Sequence, residues 1–111
     1  MTVDPHRLAE LRSVAFHRAV AERIRKDPGV LERARRRVAS ESAQGRSSGA
    51  AREWSEILSG PTDSICEFLL DPSERATRLR QSTPFAGAIP ARERWRIWRE
   101  VRASAEEQAA G

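Results

Sequence analysis

Apolar residues recur every three or four positions along most of the chain, and no stretch alternates with the period of two that a half-buried strand requires. Leu8, Leu11, Ala15, Ala19, Val20 and Ile24 draw one face of a helix over residues 5–25, with Phe16 at its border. Val30, Leu31, Ala34 and Val38 draw a second over 28–43. Trp54, Ile57 and Leu58 belong to a third over 49–59, which Gly60 ends. Ile65, Phe68 and Leu69 belong to a fourth, opened by Pro61 and finished before Asp71. A fifth over 72–81 offers only Ala76 and Leu79 to a core. The last starts at Pro90, carries Trp95, Trp98 and Val101 on one side, and fades into Ala, Glu and Gln. The expected fold is all-α, with about six short helices.

The starts of these helices have a chemical signature. Asp4-Pro5, Asp27-Pro28 and Asp71-Pro72 each precede a helix-favouring stretch. Aspartate is a good N-cap, and proline at the first helical position loses only an N–H that has no helical partner. Glu74 follows Asp71 by three residues, the spacing of a capping box. The first two helices meet almost without a loop, so residues 1–44 form a helical hairpin. Residues 45–49 read as a flexible linker, 50–104 as a C-terminal helical region and 105–111 as a tail, within one small domain overall. Pro84 excludes a helix through Ser82-Thr-Pro-Phe-Ala-Gly-Ala88, which reads as extended.

Composition makes the core thin. Leu, Ile, Val and Phe supply 21 of 111 residues, about 19%, below the level at which a charged chain begins to look disordered. Three tryptophans and 17 alanines compensate in part. Such a chain is expected to lean on a partner or on a second copy of itself as a homodimer. No apolar run approaches the length of a membrane span, and no signal-peptide pattern opens the sequence. One cysteine and two histidines eleven positions apart spell out no disulfide and no zinc site. The expectation is a soluble cytoplasmic protein without metal or cofactor.

Charge is segregated. Residues 1–40 hold ten basic and five acidic groups, 41–71 hold two and six, and 72–111 hold eight and five. Arg33, Arg35, Arg36 and Arg37 could contact nucleic-acid phosphates, or simply keep a helix face in water. Four arginines in five positions wrap more than half a helical turn, which favours solvation. His6, His17 and Cys66 have no spacing that makes a nucleophile and base, and His17 on the border of an apolar stripe reads as packed. Glu53, Glu56, Asp63 and Glu67 follow no calcium-loop pattern. The chain is not expected to be an enzyme. The stretch from Leu79 to Trp98 stands apart, because it combines Phe85, Ile89, two tryptophans and several arginines. Aromatic residues and arginine make up the hot spots of protein interfaces, but the same aromatics could fill the core.

Leu79-Arg-Gln-Ser-Thr-Pro-Phe-Ala-Gly87 with Glu93-Arg-Trp95 resembles the C-terminal signature of small bacterial antitoxins encoded beside nucleotidyltransferase-fold toxins, the AbiEii-like class. Ala15-Phe-His-Arg-Ala-Val-Ala-Glu-Arg-Ile-Arg-Lys-Asp-Pro28 and Trp54-Ser-Glu-Ile-Leu58 resemble the same group, over about 80 residues in all. The chain departs from the group at Ile89, where a small acidic or polar residue is usual. The resemblance implies a protein that binds and silences a nucleotidyltransferase-like toxin. The partner-binding candidates are then Arg80, Gln81, Ser82, Pro84, Phe85, Arg92, Arg94, Trp95, Arg96, Trp98 and Arg99. Guanidinium groups among them would lie over an acidic catalytic cleft. The alternative is a nucleic-acid-binding module or small regulator that reads DNA, such as its own operator, through Arg33, Arg35, Arg36 and Arg37.

Overall fold

A computed structural model describes residues 4–45 and 49–110. Among them six helices run in the order α1 (Pro5–Lys26), α2 (Gly29–Ala43), α3 (Gly49–Leu58), α4 (Thr62–Leu69), α5 (Glu74–Arg80) and α6 (Ala91–Ala110), with no strand. The fold is all-α.

Asp4-Pro5 starts its helix as the sequence suggests, whereas at Asp27-Pro28 the proline is itself the N-cap and α2 begins one residue later. The Asp4 carboxylate accepts the His6 N–H at 3.0 Å, and Pro5 is the first residue of α1. Asp27 serves two helices. Its N–H donates to the Arg23 carbonyl to finish α1, and its carboxylate accepts the Gly29 N–H at 2.9 Å to begin α2. The third pair acts differently. Asp71 accepts the Ser73 N–H at 2.8 Å, and Ser73 is the N-cap, its hydroxyl accepting the Ala76 N–H at 3.2 Å. Pro72 therefore lies outside α5, and Glu74 is its first residue, not the third member of a capping box. A hydroxyl two residues closer to the helix took the cap from the carboxylate.

Gly45, at φ +72, sits in the left-handed conformation that ends α2. Arg46, Ser47 and Ser48 of the expected linker lie outside the described residues. Residues 81–90 are non-helical, as Pro84 requires, but they fold as successive turns instead of an extended run. Gln81, Ser82 and Ala88 each donate to a carbonyl three residues back. At the other end α6 continues to Ala110, well into the expected tail, because Ala105 is buried and keeps the helix on its support.

That support is α1, which packs against α2, α4, α5 and α6, while α3 packs on α2 and α5 on α4. Arg23 pairs with Glu93 and Phe16 touches Trp98, so α6 runs antiparallel to α1. The described molecule measures 48 × 28 × 23 Å. One contiguous core joins Phe16, Val20 and Ile24 of α1 to Leu31, Val38, Trp54, Leu58, Ile65, Leu69, Leu79, Phe85 and Ile89. Apolar Ile89, where the chain departs from the antitoxin signature, is part of that core. Trp54 meets Phe68 and Phe85 edge-on, at 5.8 and 6.2 Å between ring centres. Helix α6 buries only Ala105 fully, with Ile97 and Trp98 half-buried against the core.

The cap exchange at α5 is testable. Ser73→Ala should lower the unfolding free energy by about 1 kcal/mol, whereas Glu74→Ala should change it by less than about 0.5 kcal/mol. Urea titration followed by circular dichroism checks both, and an equal or larger loss for Glu74→Ala would restore the capping box.

Candidate functional site

The residues expected at a partner surface divide into two sets. Arg80, Pro84 and Phe85 point inward. Phe85 is 2% exposed against Trp54, and Arg80 is 5% exposed. The Arg80 guanidinium donates to the carbonyls of Leu69 (3.2 Å) and Asp71 (2.8 Å) and to the Thr77 hydroxyl (3.2 Å). Arg80 and Phe85 thus hold the fold together. The placement of Arg80, Pro84 and Phe85 among surface contacts is corrected: the end of α4 needs the Arg80 donor, and Pro84 and Phe85 are buried where the core needs bulk. Gln81 and Ser82 remain exposed on the turn after α5.

A buried relay fixes this turn to α1. His17, 1% exposed, stands edge-on to Phe16 and lies within hydrogen-bond reach of two partners. Its Nδ1 is 2.7 Å from the Ser13 carbonyl, and its Nε2 is 2.9 Å from the Thr83 hydroxyl. A carbonyl only accepts, so Nδ1 carries the proton and Nε2 accepts from Thr83. Thr83 Oγ1 in turn accepts the Phe85 N–H at 3.1 Å. Burial lowers the His17 pKa to about 4, against the opposing pull of the Ser13 carbonyl; the nearby Arg80 charge lowers it further.

The second set lies on α6. Trp98 is half-buried, edge-on to Phe16 at 6.2 Å. Trp95, about 60° further round the helix, is 63% exposed, the large apolar side chain that the described fold leaves in water. Arg92 and Arg99 lie three and four positions away, hence on the same face. Neither has an ion-pair partner among the described residues. Arg102 continues that face and pairs with Glu106 at 3.0 Å. Arg94 is half-buried, and Arg96 is exposed, 3.8 Å from Glu93. Glu93 faces the other way, meeting Arg23 of α1 at 2.6 Å and locking the start of α6.

The arginines of α2 also separate. Arg35 turns toward α3, its Nε donating to the Leu58 carbonyl at 2.9 Å and one terminal nitrogen to Glu32 at 2.8 Å. Arg33, Arg36 and Arg37 stay exposed within an arc of about 100°. Their restraints are slight, Arg33 to Asp27 at 3.4 Å and Arg37 to Glu41 at 3.7 Å. Periodicity alone hid this face, because Arg35 made the run look wrapped around the helix.

Cys66 is buried with its thiol toward the Ala21 carbonyl at 3.9 Å, and burial raises its pKa. Of the acidic residues, Glu53 is gripped by Arg75 and Arg78 at 3.1 and 3.0 Å, which hold its carboxyl below the usual range, and Asp63 pairs with Arg25 at 2.9 Å. No group of three or more His, Cys, Asp or Glu among the described residues is arranged to hold a metal ion. No described helix is long and apolar enough to cross a membrane.

No protein-family model, no curated protein and no solved structure matches this chain.

The His17 relay has a signed consequence. Its folded pKa of about 4 lies below its ordinary 6.5. Between these values the unfolded chain binds a proton that the folded chain refuses. Stability from this group is therefore complete above pH 6.5 and is lost as the pH falls toward 4, by about 3 kcal/mol at most. Unfolding measured at pH 7 and pH 4.5 should show that loss, and His17→Gln should remove its share. An unchanged pH dependence in the variant would mean that the imidazole titrates normally.

Proposed function

We propose that this chain is a non-catalytic binding protein that presents the outer face of α6 to an acidic surface of a partner protein. On the resemblance of its C-terminal segment, that partner is a nucleotidyltransferase-like toxin which the chain neutralises by occlusion. The observation that carries the reading is Trp95, 63% exposed on a helix whose neighbouring Arg92 and Arg99 have no acidic partner within the described fold. Covering a tryptophan and desolvating nearby guanidinium groups against carboxylates is how protein interfaces gain most of their affinity. The signature residues divide the labour: Arg80 and Phe85 hold the fold, and Trp95 makes the contact.

A second reading keeps one specific observation in its favour. Arg33, Arg36 and Arg37 share an exposed face, and phosphate contacts from such a face would give binding that weakens steeply with salt. Arg35 is excluded from it, since its guanidinium is committed to Leu58 and Glu32.

Co-expression with the nucleotidyltransferase-type product of a neighbouring gene, followed by pull-down, tests the first reading. Trp95→Ala should weaken capture by about 2–4 kcal/mol and release toxicity, while leaving the melting curve nearly unchanged. Phe85→Ala should instead cost about 3–5 kcal/mol of folding stability, so any loss of neutralisation there is indirect. The triple variant of Arg33, Arg36 and Arg37 to Ala should neutralise normally. Full neutralisation by a folded Trp95→Ala chain, with failure of the triple variant, would move the interface to α2.

A further inference from the structure

Between α1 and α5 lies a groove of about 310 Å³ whose two charged walls do not meet. On one side stands Arg80, nine-tenths buried, a cation whose three hydrogen bonds all go to neutral oxygens. No carboxylate lies within ion-pair distance of it among the described residues. Buried charges are ordinarily paired, and a guanidinium has five N–H groups, so two remain beyond the three bonds already made. Burial lowers the Arg80 pKa, and the charges of Asp71 and Glu10 oppose that shift.

Glu10 lines the same groove from α1. It is exposed and has no ion pair among the described residues. Val14 and Pro72 add apolar wall, and Gln81 and His6 add polar rim. The volume falls at the low end of small-molecule sites. A lone anion would gain from Arg80 but be repelled by Glu10, and a lone cation would meet the reverse. A ligand carrying both charges satisfies both walls at once.

We propose that the α1–α5 groove binds a small zwitterion of the free amino-acid class, its carboxylate on Arg80 and its ammonium on Glu10. Each contact is a charge-assisted hydrogen bond, the stronger kind. The site is separate from the outer face of α6, and nothing in it depends on the proposed partner. Occupancy would place a carboxylate beside Arg80 and so offset part of the positive field that Arg80 imposes on His17.

The test uses the full chain and nuclear magnetic resonance of its two histidine rings and its backbone amides. Glycine, L-leucine and L-glutamine are titrated to tens of millimolar, with acetate, methylammonium and inorganic phosphate as single-charge probes. At least one amino acid should shift the His6 ring and the Thr77 and Gln81 amides saturably, and raise the His17 pKa. Acetate, methylammonium and phosphate should bind at least about tenfold more weakly. Glu10→Gln, on an exposed position that does not threaten folding, should weaken the amino acid roughly tenfold and leave acetate as it was or stronger. Arg80 is left intact, because it closes the end of α4. The proposal is overturned if no amino acid gives a saturable shift, if acetate or phosphate binds as well as the best amino acid, or if Glu10→Gln leaves amino-acid affinity unchanged.

Discussion

Helix ends are the constraint on which this structure depends. Every α-helix leaves its last carbonyls without a helical donor, and a chain that divides its length among six helices multiplies those ends. Here long side chains reach back to supply the missing donors. The Trp54 indole N–H bonds the Leu79 carbonyl at 3.1 Å, joining the Ser82 N–H at the end of α5. Arg80 closes α4 at Leu69 and Asp71, and Arg35 closes α3 at Leu58. Each bond also crosses from one element to another, so the donors that satisfy the ends determine how the helices pack. With so few large aliphatic residues, that double use matters more than it would in a chain with a thick core. Where the side chain is the donor that the carbonyl depends on, as Arg35 is at Leu58, removing it leaves a desolvated carbonyl behind, which costs about 1–3 kcal/mol before any packing is lost.

The same economy explains the place of α1. Among the described residues it packs against four other helices, and it contributes Phe16, Val20, Ala21 and Ile24 to the core while His17 holds the Thr83 turn. Helix α6 takes the opposite part. It rests on α1 through Ala105, Ile97 and Trp98, is locked at its start by Arg23 and Glu93, and leaves its other side to solvent.

Much of the fold was legible because its cues are local. The Asp-Pro pairs, the glycines after α2 and α3 and the spacing of apolar residues each act within a turn or two, so the helices fall close to where the pattern puts them. What was not legible depends on neighbours distant in the chain. Phe85 in a Pro-containing turn has the composition of a hot spot and of a core plug alike, and only its contact with Trp54 decides. Trp95 and Trp98 differ by three positions, and nothing local says which of them α1 covers. Arg80 looked like surface charge because two of its three acceptors are main-chain carbonyls, which leave no mark in the pattern of side chains. The shared face of Arg33, Arg36 and Arg37 appears only once Arg35 is seen to bond the end of α3.

The outward side of α6 has a consequence for how such a protein changes over generations. Residues that hold a fold together are constrained by the narrow stability margin of a small domain, and most substitutions there push the chain toward unfolding. Arg92, Trp95 and Arg99 bear none of that load. Substitutions at these positions escape that stability constraint, so the side chains along this one helical face can change while α1 to α5 stay as they are. Two chains with the same helices could therefore share almost nothing along that face.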